Sequence, residues 1–170
     1  CQSYVQNECI GGRSAAELLE YATLYIIPMV NPDGVDLVTG LIPPSSELYE
    51  AASAMNTMNL PFPDGWKANI NGVDLNLQYP ARWEEAREIK FAEGYTQPGP
   101  RDYVGQAPLD QPESIAVAEY TQAHDFALIL AYHTQGEVIY WKFLDYLPED
   151  SLRIGTVFSN LSGYSLELTP

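Results

Sequence analysis

"PESIAVAEYTQAHDFALILAYHTQG", residues 112–136, runs a helix pattern straight into a strand pattern, and that junction sets the fold class. Pro112 fixes φ where a helix can begin, and Glu113 falls in the first turn, where the helix dipole favours a carboxylate. A helix is predicted from Pro112. "FALILAYH", 126–133, follows at once, apolar on both faces and of strand length, so it reads as a buried strand ending at His133. Beyond Gly136, "EVIYWKF" reads as another strand.

The same alternation extends upstream. "SAAELLEYA", 14–22, carries Ser14 three residues before Glu17, the spacing of a capping box, and predicts a surface helix. "TLYIIPMVN", 23–31, reads as a buried strand in which Pro28 points to an edge or an end. "NPDG", 31–34, predicts a turn, since Asn31 and Asp33 can bond their own backbone, Pro32 fixes φ and Gly34 accepts positive φ. "SELYEAASAMNTM", 46–58, predicts a short helix, "NGVDLNLQYP", 71–80, a short extended segment, and "RWEEAREIKFAEG", 82–94, a helix followed by a long irregular loop to residue 111. Long loops inside compact domains are usually functional or disordered. Strands separated by helices imply an α/β fold with a mixed, partly parallel sheet and helices on both faces. Ligands of such sheets bind at the carboxyl ends of the strands. Asn31, Asn76 and His133 would then share one rim.

Composition narrows the function. Hydrophobic residues make up 46% of the 170, which argues against disorder and for one domain or part of one. Eight Lys and Arg against 23 Asp and Glu give a formal charge of -15, and no basic stripe offsets it. Nucleic-acid binding is therefore not expected. No stretch of the sequence is long and apolar enough to predict a membrane span, and no signal peptide is evident in this segment. A Cys1–Cys9 disulfide is possible but would close only a short loop, and neither cysteine sits in a Cys/His cluster. The chain starts on Cys1 and stops in mid-pattern at "SGYSLELTP", so a fragment incomplete at both ends is expected.

No GxSxG, P-loop, GxGxxG or HExxH motif occurs, which removes the usual support for serine-hydrolase, nucleotide-binding and thermolysin-like chemistry. His133 and Glu137 are separated by a turn at Gly136 and lack a third ligand, so they are not a self-contained metal site. Taken alone, His133 is either a metal ligand or a histidine where a strand stops. The other histidine, His124, lies late in a helix. Asn31, Asp33, Asp74 and Glu113 read as turn and helix-start residues, and Tyr132, Tyr140 and Trp141 as core or pocket-wall aromatics.

Four motifs in order change the weighing: "PMVNPDGVDLVTG", "GWKANINGVDLNLQYPARW", "PRDYVGQAPLDQPES" and "LAYHTQGEVIYW". Together they resemble the zinc carboxypeptidase family, and within it the bacterial γ-D-glutamyl-diamino acid peptidases that cut peptidoglycan stem peptides. The resemblance covers essentially all of residues 1–170 and implies the central portion of one peptidase catalytic domain. It implies zinc as cofactor, held by a His-xx-Glu pair and a later histidine, and His133 matches that later ligand. This chain has no His-xx-Glu, and the family places that pair before the point where this sequence begins and its general-base glutamate beyond Pro170. The segment alone is accordingly expected to be inactive.

The resemblance further implies that Lys67 stands near the family's oxyanion arginine, although it also reads as an ordinary surface lysine. Asn76 matches the asparagine that hydrogen-bonds the substrate carboxylate. Its usual arginine neighbour is replaced by Leu77, which cannot supply a guanidinium fork. Arg101 is a candidate substitute cation, or simply a loop arginine. The expected partner is a peptidoglycan stem peptide or another peptide, and the expected location is extracellular or at the cell wall if that substrate is right. Two alternatives stay open, an ordinary carboxypeptidase releasing C-terminal residues and a non-catalytic module of the same fold.

Overall fold

The computed structural model describes residue 6, residues 9–133 and residues 136–169. They form two compact units, one running to Asp125 and one from Phe126. Cys1 lies outside the described residues, and Cys9 is exposed.

The first unit opens with a two-stranded antiparallel hairpin, β1 (Cys9–Ile10) and β2 (Arg13–Ser14), in register Cys9↔Ser14 and Ile10↔Arg13. Helix α1 (Ala15–Leu19) follows directly. Its capping box is the predicted one: the Ser14 amide donates to Glu17 Oε2 at 2.7 Å and the Glu17 amide donates to Ser14 Oγ at 3.3 Å. These bonds hold the Glu17 carboxyl below its usual range.

"NPDG" does not form the expected turn: Pro32, Asp33 and Gly34 are the first residues of a helix, α2 (Pro32–Thr39), and Gly34 is not among the glycines with positive φ. Asn31 caps it, accepting from the Gly34 amide at 3.1 Å, and Pro32 occupies the first position, where its missing N–H is harmless. Helix α3 (Glu47–Met55) is capped by Ser46. Leu37 of α2, Ala52 of α3, and Trp66 and Ala68 of the following loop form the buried core. Tyr49, Phe62 and Trp66 extend it edge to face, with ring centroids 5.0 and 5.9 Å apart. Helix α4 (Trp83–Ala92) and helix α5 (Pro112–Gln122) match the predicted positions, and α5 begins at Pro112.

The apolar run 23–30 corrects the sequence reading. It belongs to no strand, and Leu24, Ile26 and Ile27 are about half exposed (51%, 50% and 49%). β-Branched, apolar residues favour extended backbone, but a ladder also needs a partner. Among the described residues none pairs with this run. It lies beside α5 instead, where Tyr25 meets the rings of Tyr120 and His124 at 6.3 and 5.3 Å.

The second unit repeats that correction and then meets one expectation. Residues 126–133 form no strand, Leu128 and Ile129 are 50% and 59% exposed, and Tyr132 is 88% exposed rather than core. β3 (Val138–Tyr140) falls where a strand was predicted. It pairs parallel with β4 (Ser165–Glu167) in register Ile139↔Leu166, and helix α6 (Ser151–Ser162) connects them. Gly155 of α6 is buried where a side chain would meet Leu166 and Trp141. A parallel pair joined through a helix is the α/β connection. The architecture is a mixture of helices and small sheets consistent with the α/β class.

Candidate active site

Three of the four candidate residues lie on two irregular segments of the first unit, 66–78 and 98–104, which are laced together by main-chain hydrogen bonds. The amides of Lys67 and Ala68 donate to the Pro100 carbonyl at 2.8 and 2.9 Å, Gly99 donates to the Gly72 carbonyl at 3.0 Å, and Asp74 donates to the Tyr103 carbonyl at 2.8 Å. Gly72 has a φ of 75°, and a β-carbon there would stand 2.8 Å from the Gly99 nitrogen. Only glycine permits both that conformation and that approach.

Burial alternates along 66–68, with Trp66 and Ala68 inside and Lys67 exposed between them. The packing of its neighbours therefore turns Lys67 outward. Next, Asn69 is fully buried. Its Oδ1 accepts from the amides of Asn71 and Val73 at 3.2 and 3.0 Å, and its Nδ2 donates to Gln111 Oε1 at 2.8 Å and faces the Glu113 carboxylate at 3.2 Å. Glu113 thus stands in the first turn of α5, as predicted, and also anchors the loop.

Asn76 does not end a strand, as the sequence reading proposed. It occupies a single 3-10 turn, Leu75–Leu77, because the Asp74 side chain accepts from the Asn76 amide at 3.2 Å and bends the chain there. The other Asp74 oxygen accepts from the Asp102 amide at 3.0 Å. The expectation that Asp74 fixes the loop presenting Asn76 is met. Asn76 is exposed, and its side-chain amide makes no hydrogen bond among the described residues. Leu77 beside it is half-buried.

Gln78 closes the turn. It is 0% exposed, and its Oε1 accepts from the amides of Asp110 and Gln111 at 2.9 and 3.2 Å and from Ser114 Oγ at 3.3 Å. Its Nε2 donates to the carbonyls of Val104 and Ala107. One buried amide thereby fixes the loop from 104 to the start of α5.

Arg101 is half-buried, and its Nε donates to Asp102 Oδ2. Lys90 of α4 reaches the other Asp102 oxygen at 3.1 Å and Glu93 at 2.9 Å. Burial alone would raise the Asp102 carboxyl, but the hydrogen bonds from Arg101 and Lys90 outweigh it and hold the group below its ordinary range. Asp102 itself holds Arg101 above the guanidinium's usual value, and Glu93, with Asp102, raises Lys90.

His133 is exposed, in the second unit, and makes no hydrogen bond among the described residues. Among the described residues no group of three or more His, Cys, Asp or Glu could hold a metal ion. One imidazole falls short of the three protein ligands that a catalytic zinc takes. The described residues do not by themselves make a zinc site.

Gln78 and Asp102 were missed in the sequence. Gln78 is a polar residue directly after "DLNL" whose partners are mostly main-chain atoms, and Asp102 adjoins Arg101 in "PRDY" but also pairs with Lys90, twelve residues upstream, so neither network is announced by spacing.

Comparisons with known proteins agree with the quoted motifs. The zinc carboxypeptidase sequence profile matches residues 1–154. The chain is 49% identical over 155 residues to gamma-D-glutamyl-L-diamino acid endopeptidase 1 of Lysinibacillus sphaericus, covering 91% of this chain and 38% of that protein. It is 39% identical over 163 residues to the uncharacterized protein YqgT of Bacillus subtilis (strain 168), covering 96% and 42%. A more distant relative, carboxypeptidase E of Caenorhabditis elegans, is 27% identical over 157 residues, covering 89% and 28%. The chain thus spans well under half the length of these relatives. No solved structure matches significantly. With the profile running across both units and the laced loops carrying two of the four quoted motifs, the chain belongs to the zinc carboxypeptidase family.

Proposed function

We propose that these residues form part of one catalytic domain of a zinc peptidase that hydrolyses γ-D-glutamyl-diamino acid bonds in peptidoglycan stem peptides. The observation that carries this reading is the lace itself, which brings Lys67, Asn76 and Arg101 onto adjoining backbone with the first two side chains open to solvent. The 49% identity to a relative named for that bond supports the substrate class. A family match that crosses the boundary at residue 125 supports a single domain, and the parallel β3–β4 pair is consistent with a partly parallel sheet.

Each residue then has a task. The Lys67 ammonium steadies the oxyanion that develops on the scissile carbonyl, an interaction strongest where charge appears in the transition state. Asn76 orients the substrate through its free carboxamide, and Arg101 contributes a cation for a substrate carboxylate. Leu77 stands where the family keeps an arginine, so the clamp for a free C-terminus is absent, which favours a bond recognised from elsewhere. Zinc would polarise the carbonyl and acidify a bound water, and His133 is proposed as one of its ligands.

The test is hydrolysis by the full-length protein of a stem peptide, L-alanyl-γ-D-glutamyl-diamino acid, beside an α-linked peptide with a free C-terminus. Cleavage at the γ-glutamyl bond alone supports the proposal. Release of C-terminal residues from the α-linked peptide alone would make the protein an ordinary carboxypeptidase, and cleavage of neither would favour a non-catalytic module.

A further inference from the structure

Resting on the γ-glutamyl reading above, we infer that Arg101 determines specificity by recognising the free α-carboxylate of the D-glutamyl residue on the acyl side of the scissile bond. A γ linkage consumes the side-chain carboxyl and leaves the α-carboxylate on the same residue as the carbonyl under attack. It is the one carboxylate that such a bond carries whichever diamino acid follows and whatever is attached beyond it.

The geometry puts a cation in the right neighbourhood. Pro100, adjoining Arg101, accepts through its carbonyl from Lys67 and Ala68, and Asp102, on the other side, donates its amide to the carboxylate that turns the chain into Asn76. Arg101 therefore lies between a residue bonded to the Lys67 main chain and one bonded to the carboxylate that holds the Asn76 amide. Lys67 is the group assigned to the scissile carbonyl, and its amide is bonded to Pro100, the residue before Arg101.

The guanidinium is also prepared for this. The charges alternate along Glu93, Lys90, Asp102 and Arg101, and Arg101 is the last member. Asp102 is 14% exposed at its side chain, and its φ of 64° is unusual outside glycine, so its position is fixed from several sides. It engages Arg101 through Nε and leaves the two terminal nitrogens without a hydrogen bond among the described residues. That end of a guanidinium is a planar fork matched to a carboxylate. In a chain of net charge -15, Arg101 and Lys67 are two of only eight Lys and Arg residues, and both lie on the laced segments. An anionic ligand is the one such a placement suits.

The experiment compares kcat/KM of the full-length protein on stem peptides whose D-glutamyl α-position is either a carboxylate or a carboxamide. The wild type should prefer the carboxylate by about tenfold or more, as expected for a charge-assisted pair. Arg101→Gln should bring that ratio close to one, mainly through KM, and Arg101→Lys, which keeps charge without the fork, should lie between. Equal rates on both substrates by the wild type overturn the inference without needing a variant. So does an Arg101→Gln protein that keeps the full preference, or one that loses a preference for diaminopimelate over lysine instead, which would assign Arg101 to the other end. Cleavage of neither substrate by the wild type overturns the γ-glutamyl reading, and this inference with it.

Discussion

The backbone amide of Asp102 donates to the Asp74 carboxylate at 3.0 Å, so the partner of Arg101 is tied to the residue that bends the chain into Asn76. Asp74 is 7% exposed and serves two amides, those of Asn76 and Asp102. Asp74→Ala should lower stability by about 1–3 kcal/mol, since two amides lose their acceptor, one on each laced segment. Urea unfolding checks it, and an unchanged midpoint would mean that the carboxylate is dispensable to the lace.

Gln78 is the larger case. Gln78→Leu preserves volume but leaves two backbone amides, a hydroxyl and two carbonyls without the partner they share. A loss of about 2–5 kcal/mol, or failure to fold, is expected from unsatisfied buried groups. A substitution costing under about 1 kcal/mol would show that this amide is not what fixes the loop.

Gly34 carries a conflict between helix propensity and space. Alanine would gain about 1 kcal/mol as a helix former. Its β-carbon would, however, run into the Asn31 side chain and stand 2.7 Å from the Ala68 carbonyl oxygen, which the Asn31 amide already bonds at 2.9 Å. The obstruction is backbone and cannot swing aside, so Gly34→Ala should be net destabilising by about 1–3 kcal/mol. A raised melting temperature would contradict this.

The acid limb of stability should carry a signature of Asp102. Its folded carboxyl lies below the unfolded value, so the stability it contributes is present above about pH 4 and is lost as pH falls through the folded value. The gap in unfolding free energy between the wild type and Asp102→Asn should therefore shrink with acidification below about pH 4. Paired denaturant titrations across that window measure it, and a gap independent of pH would refute the ion-pair origin.

Metal binding gives a separate check. Because His133 is a single imidazole without companion ligands among the described residues, calorimetric titration of these 170 residues should find zinc affinity weaker than micromolar. What binding exists should fall with His133→Ala. Stoichiometric micromolar binding would reveal a donor set that the structure does not bring together.

These contrasts explain what could be read before the structure. Ser14 with Glu17, and Pro112, act through their own neighbours in sequence, and so does the bond from Asp74 to Asn76, so spacing alone announces them. "NPDG" misled in part, because the same residues that tighten a turn also cap a helix, and only the chain beyond Gly34 distinguishes the two. The runs 23–31 and 126–133 were read as buried strands because apolarity reports a wish for burial and not its fulfilment. The lace was invisible: amides and carbonyls bond one another whatever side chains they carry. Lys67, Asn76 and Arg101 could be nominated one by one from their motifs, but not seen as neighbours.

A platform held by main-chain atoms is largely indifferent to what its outward positions display. Lys67 and Asn76 can be exchanged without cutting any of the Pro100, Gly72 or Tyr103 bonds that shape it. Ancestral divergence among peptidases of this kind, and laboratory selection for new substrates, could therefore rewrite recognition at these points while the underlying frame is inherited intact.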